Sequence, residues 1–454
     1  MTATRRWLAG ISAGMALTVV MSGCAGDTTA SPEGQGRSAP EEKPEQQARV
    51  IGDGSTSITG RQPSQPIPRA LRKGKKPPQF VVFSWDGAGE DGKKLFSRFR
   101  KAGKRYGASQ SFFLSGIYTL PEAKSRRYAP PGHPSGASDI GYLKDENIRA
   151  TLREVRKAWL QGNEIGTHFN GHFCGPKGVG SWSADQWKSE IRQAKWFVKN
   201  WKTNTGFRRE DPLPFDYDKE LIGGRTPCLQ GQENLLRAAR EMGFRYDSSG
   251  NGTQVWPKKK SGLWDVPLQE VPMPGRKFET LSMDYNFLAN QSGTVRGPAA
   301  EHAAYGRQMR EGLMKGFERA YKGNRAPLII GNHFEKWNGG VYMDAVEHVM
   351  KSVCRKHEVR CVSFRQLVEW LDAQDPKVLS KLRSLGVGER PERGWKSFLE
   401  AKAKDEAEAK AKDEAEAKAK DEAEAKAKAE AKAKAEEKAK DAGTTKPVSD
   451  RRSD

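Results

Sequence analysis

Four short clusters along the chain carry side chains that do chemistry: Trp85-Asp86-Gly87, His168-Phe169-Asn170-Gly171-His172, Arg225-Thr226-Pro227 and Asn332-His333. Each follows a short run expected to be a β-strand. In a β/α barrel the C-terminal ends of the strands form the rim where active-site groups gather. His168 and His172 stand four residues apart, so one helical turn after a strand would aim both imidazoles at one point. With Asp86 they supply two imidazoles and a carboxylate, a set that suits a divalent cation with positions left open for water and substrate. A cation so held polarises an amide carbonyl and makes water more acidic. Each residue also has an ordinary role to be weighed against this one: Asp86 as a helix cap, His333 as a hydrogen-bonded core histidine, Arg225 as half of a surface ion pair.

The elements that must position these clusters alternate. Gln79–Ser84, Ser109–Leu114, Glu164–Thr167, Leu221–Gly224, Trp264–Leu268, Thr280–Asp284, Leu328–Gly331 and Arg360–Ser363 read as strands. Asp91–Tyr106, Asp145–Leu160, Ala184–Trp201, Glu233–Met242, Ala299–Tyr321, Val341–Lys356 and Phe364–Leu371 have helical spacing. Repeated β-α units predict a parallel sheet, and this many strands over roughly 300 residues predicts a (β/α) barrel with long loops. The tryptophans at 182, 187, 196 and 201 suggest sugar stacking, but their helical spacing assigns most of them to the core.

Outside that domain the composition changes. The chain has 454 residues, of which 36% are hydrophobic, below the ~45–50% of ordinary globular domains. Arg5 and Arg6 precede an apolar run from Trp7 to Met21, too short for a span of about 20 residues and right for a signal-peptide core. It ends in Met21-Ser22-Gly23-Cys24, which resembles the acylation site of bacterial lipoproteins. Residues 1–23 are therefore expected to be a lipoprotein signal peptide, Cys24 the lipidated residue, and 24–78 a flexible tether poor in apolar residues. The domain runs over 79–373, with a connecting segment at 374–399. Residues 400–441 repeat EAKAKDEA and predict a solvated charged helix about 60 Å long. Residues 442–454 are expected to be disordered. The repeat holds 12 Lys against 14 Asp and Glu, so its net charge is −2 and the rest of the chain, from a total of +21, carries +23. On an exported protein such a surface suits anionic wall polymers or lipid head groups, with a plain compositional bias as the alternative, and export argues against nucleic acid as the partner. A single apolar run excludes a polytopic membrane protein, and five cysteines are too few for a disulfide-built scaffold.

The order of the four clusters resembles the polysaccharide deacetylases of carbohydrate esterase family four, the NodB-homology domain. The likeness covers roughly residues 79–373. Asp86-Gly87 is similar to the second Asp and the Gly of that family's first motif, His168-x-x-x-His172 to its second, Arg225-x-Pro227 to its third, and His333 to its last. The stretch GRTPCLQGQENLLRAAREMGFRYDSS follows the same habit of a helix and then a strand after the Arg-x-Pro loop. The resemblance implies a distorted (β/α) barrel and metal-dependent removal of N-acetyl groups from a cell-wall or extracellular glycan. Asp86, His168 and His172 would hold the metal, Zn with Co or Ni as alternatives. His333 would act as general acid, Arg225 would orient a carboxylate, and Asp284, or Asp265 in its place, would orient His333. It also implies N-acetylated polysaccharide or peptidoglycan as partner, for a protein exported and lipid-anchored to the outer face of the bacterial cell membrane.

The chain departs from that pattern at Trp85, where the family has its catalytic base, at Phe169, where it has Ser or Thr, and at Cys228, where it has an aromatic. Glu90, Asp91 or Glu335 could supply the missing base. The cation could also act without one, or the protein could bind glycan, or organise the envelope, without hydrolysing anything. A hydrolase of another amide on the same scaffold is a further alternative. With Cys24 lipidated, four cysteines remain. Cys174 with Cys228 would join the His and Arg loops if both share one rim. Cys354 with Cys361 would close a helix-to-strand turn. The rival for Cys174 or Cys228 is a role as thiolate metal ligand.

Overall fold

The computed structural model describes residues 48–400, with 411–412, 414–420 and 422. The expected signal peptide, Cys24, residues 24–47 of the expected tether and the end at 442–454 lie outside the described residues. The described chain begins with strands β1 (Arg49–Ile51) and β2 (Thr56–Ile58). There follow β3 (Gln79–Asp86), α1 (Leu95–Tyr106), β4 (Ser111–Leu114), α2 (Asp145–Leu160), β5 (Glu164–Thr167), α3 (Ala184–Lys199), α4 (Trp201–Thr205), α5 (Tyr217–Glu220) and α6 (Gln232–Glu241). The second half holds β6 (Tyr246–Asp247), β7 (Asn251–Gly252), β8 (Lys258–Lys260), β9 (Leu263–Asp265), β10 (Leu268–Pro272), β11 (Glu279–Leu281), α7 (Asp284–Gln291), α8 (His302–Lys322), β12 (Leu328–His333), α9 (Val341–Val353), β13 (Val359–Cys361), α10 (Phe364–Asp372), α11 (Pro376–Arg383) and α12 (Gly394–Glu400).

The fold is α/β with a parallel sheet at its centre. β12, β3, β4 and β5 run side by side and parallel, and β13 pairs with the first residues of β3 while β4 pairs with its last. Beyond β5 the wall continues in shorter pieces. Thr167 bridges Gly224, β6 pairs with β9, β7 with β10 and β10 with β11, and Met283 bridges Gly331 of β12. That last bridge returns the wall to its start, so the strands form a distorted barrel. The expected strand at Leu221–Gly224 is reduced to its single bridge. Its glycines permit close approach instead: a Cβ on Gly224 would run into the Thr167 carbonyl, and one on Gly223 into the Tyr246 ring.

Strand alternation decides which side chains face the barrel interior. Along β3, Phe80, Val82, Ser84 and Asp86 fall on one face, and Val81, Phe83 and Trp85 on the other. Phe80 and Val82 pack with Ile329, Leu268 and Tyr246 inside the barrel, while Val81, Phe83 and Trp85 pack with the helices. Trp85 is fully buried in that outer layer. Its ring stacks on Phe334 at 4.8 Å and lies 4.0 Å from Phe99 of α1. Its Nε1–H donates to Gln110 Oε1 at 2.8 Å.

The chain flanking the barrel is more ordered than its composition predicts. Residues 48–78, expected to be part of the flexible tether, form a hairpin and a strap. Trp201 donates its indole N–H to the Ser55 carbonyl at 2.7 Å, and Lys202 N–H donates to Ser55 Oγ at 2.8 Å. Gln62 reaches the Trp159 and Asn163 carbonyls, and Leu71 N–H donates to Gln374. Polar contacts anchor this segment, which hydropathy does not register. Within 374–399, α11 buries Leu379 and Leu382. In the repeat, the described residues 411–412, 414–420 and 422 are helical and exposed, and Lys418 lies 3.9 Å from Glu422. No described helix is long and apolar enough to cross a membrane.

Trp85→Ala is expected to cost about 3–5 kcal/mol of stability, because it empties a closed aromatic layer. The urea unfolding midpoint measures this. A loss below about 1 kcal/mol would mean that the layer repacks around the gap.

Candidate active site

Asp86, His168 and His333 lie on the interior-facing parity of β3, β5 and β12, each at or just past the strand's C-terminal end. With His172 they line one cavity, whose other walls include Asp91, Lys93, Ser115, Tyr118, Glu335 and Trp337. Three of the four clusters, far apart in sequence, thus share one rim.

Arg225 sits beneath that rim with no solvent exposure. Nη1 donates to Asp86 Oδ1 at 2.9 Å, Nη2 to Ser84 Oγ at 3.0 Å and to Ser248 Oγ at 2.8 Å, and Nε to the Ser248 carbonyl at 3.0 Å. It is a buried partner of Asp86, and not the surface ion pair weighed as its ordinary role. Burial raises the Asp86 carboxyl's pKa, but the charge of Arg225, with His168 and His333, outweighs this and holds it below the usual carboxylate range. Asp86 Oδ2 accepts no hydrogen bond from the described residues.

His168 Nδ1 lies 2.9 Å from the Arg225 carbonyl oxygen. A carbonyl only accepts, so Nδ1 carries the proton and Nε2 carries the lone pair. That Nε2 is buried and has no hydrogen-bond partner. Burial is the main cause that pushes the imidazole down to about 3, so it is neutral. His172, half-buried, is also shifted down, by burial first. The expected helical turn between the two histidines is absent. Phe169 at φ 61° and His172 at φ 58° are left-handed, a conformation no right-handed helix contains. The rings nevertheless face one another with centroids 5.0 Å apart. Phe169 points away from the cavity and packs on Trp187.

His333 is held by Asp284, the first residue of α7, where the sequence had suggested the end of a strand. Its backbone N–H donates to Asp284 Oδ2 at 2.7 Å, and Nδ1 lies 2.8 Å from Asp284 Oδ1. Burial lowers the imidazole's pKa, but the fully buried Asp284 carboxylate outweighs it, so His333 holds a proton more firmly than a free histidine. Asp265, the other residue considered for this role, accepts instead from Gln232.

The three candidate bases separate. Glu90 accepts the Ser97 N–H in the first turn of α1 and does not line the cavity. Asp91 and Glu335 do line it, and Lys93 lies 3.2 Å from the first and 2.8 Å from the second. Lys93 and Tyr118 carried no local sequence signal. Burial, with the nearby Glu335 and Asp91 charges, lifts the Tyr118 phenol to about 12, so it stays neutral. Tyr285, half-exposed, and Trp337 flank His333 at ring distances of 6.5 and 5.2 Å. Trp337, four residues past His333, was the one legible addition.

The donors suit a divalent cation in kind: an anionic carboxylate with one free oxygen, and an imidazole nitrogen whose lone pair is buried and unpartnered. Asp86, His168 and His172 stand more widely than a closed coordination sphere. Among the described residues, only His172, Cys174 and Cys228 place three possible ligand atoms within 4.8 Å of one another. Cys174 and Cys228 form a disulfide, as do Cys354 and Cys361, so both expected bridges are present.

No protein-family profile matches the sequence. Among solved structures, the chain is similar to one assigned as a polysaccharide deacetylase from Mycobacterium smegmatis, at 13% identity over 68% of this chain and 95% of that one, TM-score 0.40. It is similar to a family 4 carbohydrate esterase from Streptomyces lividans at 11% identity over 60% and 88%, TM-score 0.32. It is also similar to a family 4 pseudoenzyme from Bacillus anthracis at 9% identity over 65% and 66%, TM-score 0.33.

One buried acid supports the histidine loop. Tyr128 Oη accepts the Gly171 N–H at 3.0 Å and donates to Glu190, which is 1% exposed. Burial raises the Glu190 carboxyl to about 7. The folded chain therefore keeps a proton that the unfolded chain releases above its ordinary pKa of about 4.5. Its contribution to stability is whole below that pH and is lost as pH rises through about 7. Glu190→Gln is expected to gain stability relative to the parent between pH 5 and pH 8, by up to about 1.4 kcal/mol per pH unit. Denaturant unfolding across that range measures it, and a constant difference would refute the assignment.

Proposed function

We propose that this chain is a metal-dependent hydrolase that removes N-acetyl groups from a cell-envelope glycan. The observation that carries the reading is the buried, unpartnered Nε2 of His168. It opens on the same cavity as Asp86 and as a His333 oriented by a buried aspartate. Asp86, His168 and His172 would hold a cation of the Zn, Co or Ni class, which when bound supplies a polarised carbonyl and a more acidic water.

The chain's own residues divide the remaining work. Arg225 fixes Asp86 by a charge-assisted bond and fixes the His168 tautomer through its carbonyl. Asp284 holds His333 Nδ1, leaving Nε2 to deliver a proton to the departing amine. Tyr285 and Trp337 offer aromatic faces beside that proton, and such faces suit the apolar side of a sugar ring. Trp85 cannot accept the water's proton, because its side chain belongs to the outer layer. Asp91 and Glu335 are the carboxylates that share the cavity with Asp86, and we assign the base to this Lys93-bound pair. Two disulfides support an oxidising compartment. With the N-terminal pattern they support export and lipid anchoring at Cys24, with N-acetylated polysaccharide or peptidoglycan as the substrate class.

A second reading, a glycan-binding or structural envelope protein, is favoured by one observation. The residue before Asp86 is turned away from the cavity, and both remaining cavity carboxylates lie against Lys93.

Purified chain with Zn, Co or Ni is expected to release acetate from N-acetylated glycan. His333→Ala and Asp284→Asn should lower kcat by about 10²–10⁴ with KM little changed. Of Asp91→Asn and Glu335→Gln, the one that removes the base should cost a similar factor. No release with any of the three metals, alongside retained glycan binding, would favour the binding protein. Cys24→Ser is expected to move the chain from the membrane fraction to the soluble fraction. Unchanged membrane retention would remove the lipid anchor from the reading.

A further inference from the structure

The Cys174–Cys228 bridge joins the loop after His172 to the loop after Arg225, with Cα atoms 6.0 Å apart. Both cysteines are exposed, and exposed bridges are the ones that thiol reductants reach. His172 Nδ1 lies 3.7 Å from Cys174 Sγ. The His172 nitrogen and the two sulfurs all fall within 4.8 Å of one another. In a tetrahedral site with metal bonds of about 2.0–2.3 Å, neighbouring ligand atoms stand roughly 3.3–3.8 Å apart. The His172–Cys174 pair already has that spacing, so only the two sulfurs must separate, by roughly 2 Å. His172, Cys228 and Leu229 have φ of 58°, 54° and 55°, left-handed conformations that persist only where the surroundings hold them.

We propose that reduction of this bridge creates a thiolate site for a soft divalent cation of the Zn class, with Cys174, Cys228 and His172 as ligands and a fourth position open. A dithiol reductant attacks one sulfur of the bridge, transfers two electrons and leaves as its own disulfide. Cation binding then displaces the two thiol protons to solvent. His172 also lines the cavity with Asp86 and His168. The oxidised chain therefore presents this imidazole to the cavity, and the reduced, metal-loaded chain commits it to sulfur. That competition rests on the function proposed above, whereas the thiolate site does not.

The test titrates the full chain with Co²⁺ alone, before and after reduction by a phosphine removed under anaerobic conditions. The reduced chain is expected to bind one equivalent with a near-ultraviolet thiolate-to-cobalt band that the oxidised chain lacks. The band should vanish in the Cys174→Ser, Cys228→Ser double variant and persist in the Cys354→Ser, Cys361→Ser double variant. His172→Ala should weaken cobalt binding by at least about tenfold, the lower end of what losing even an outer partner of a metal ligand costs. No band in the reduced chain, or a band that survives without Cys174 and Cys228, overturns the proposal. Unchanged affinity in His172→Ala overturns the three-ligand site. His168→Ala keeps all three thiolate-site ligands while removing one from the deacetylase cavity, so it should keep the band whether or not the chain hydrolyses glycan.

Discussion

The rim is organised around a guanidinium that has no water. Arg225 lies wholly buried between β3 and the segment after β6, and a cation there persists only if it is paired and hydrogen-bonded. Asp86, Ser84 and Ser248 accept four hydrogen bonds from it. Satisfying the guanidinium therefore fixes Asp86 in one rotamer and in its ionised state. The same residue's backbone carbonyl meets His168 Nδ1 and so selects the tautomer that leaves Nε2 bare. One buried ion pair thus sets the charge of one donor and the protonation pattern of another. Removing either partner would leave a buried charge unpaired, a cost of about 3–5 kcal/mol in such sites.

Strand alternation explains both what the rim holds and what it lacks. A residue's face is settled by parity from the strand's interior positions. Ser84 and Asp86 share parity with Phe80 and Val82, so they point inward, and Trp85 does not. An aromatic at 85 therefore strengthens the layer between β3 and α1, where Phe99 and Phe334 meet it, and contributes nothing to the cavity. A single position separates the group that binds from the group that packs.

What the sequence made legible follows from which forces act locally. Helix α2 and strand β5 have the expected bounds, because a 16-residue amphipathic pattern and a short apolar run carry their own signals. The site residues at strand ends were legible for the same reason: the strand places them. The turn between His168 and His172 was not, since its left-handed residues answer to a bridge and a buried tyrosine many residues away. Nor was the strap at 48–78, where Ser55 accepts from Trp201 while Gln62 and Leu71 donate to Trp159 and Gln374 on the barrel's flank. Lys93 and Tyr118 belong to the cavity only through tertiary placement, so no spacing rule could name them.

The two sides of the cavity are built unequally, and the inequality bears on whether chemistry occurs there. The His333 side is closely braced. Asp284 is fully buried; its Oδ2 accepts the His333 backbone N–H, and its Oδ1 meets both His333 Nδ1 and the Tyr285 N–H. Burying a carboxylate is costly, and its return here is one imidazole held in a fixed tautomer with its proton stabilised. The other side holds two carboxylates bound to one lysine, which keeps negative charge near the cavity without committing either oxygen pair to the rim's ion pair. The cavity thus sets a firmly protonated imidazole and two lysine-paired carboxylates on the same walls.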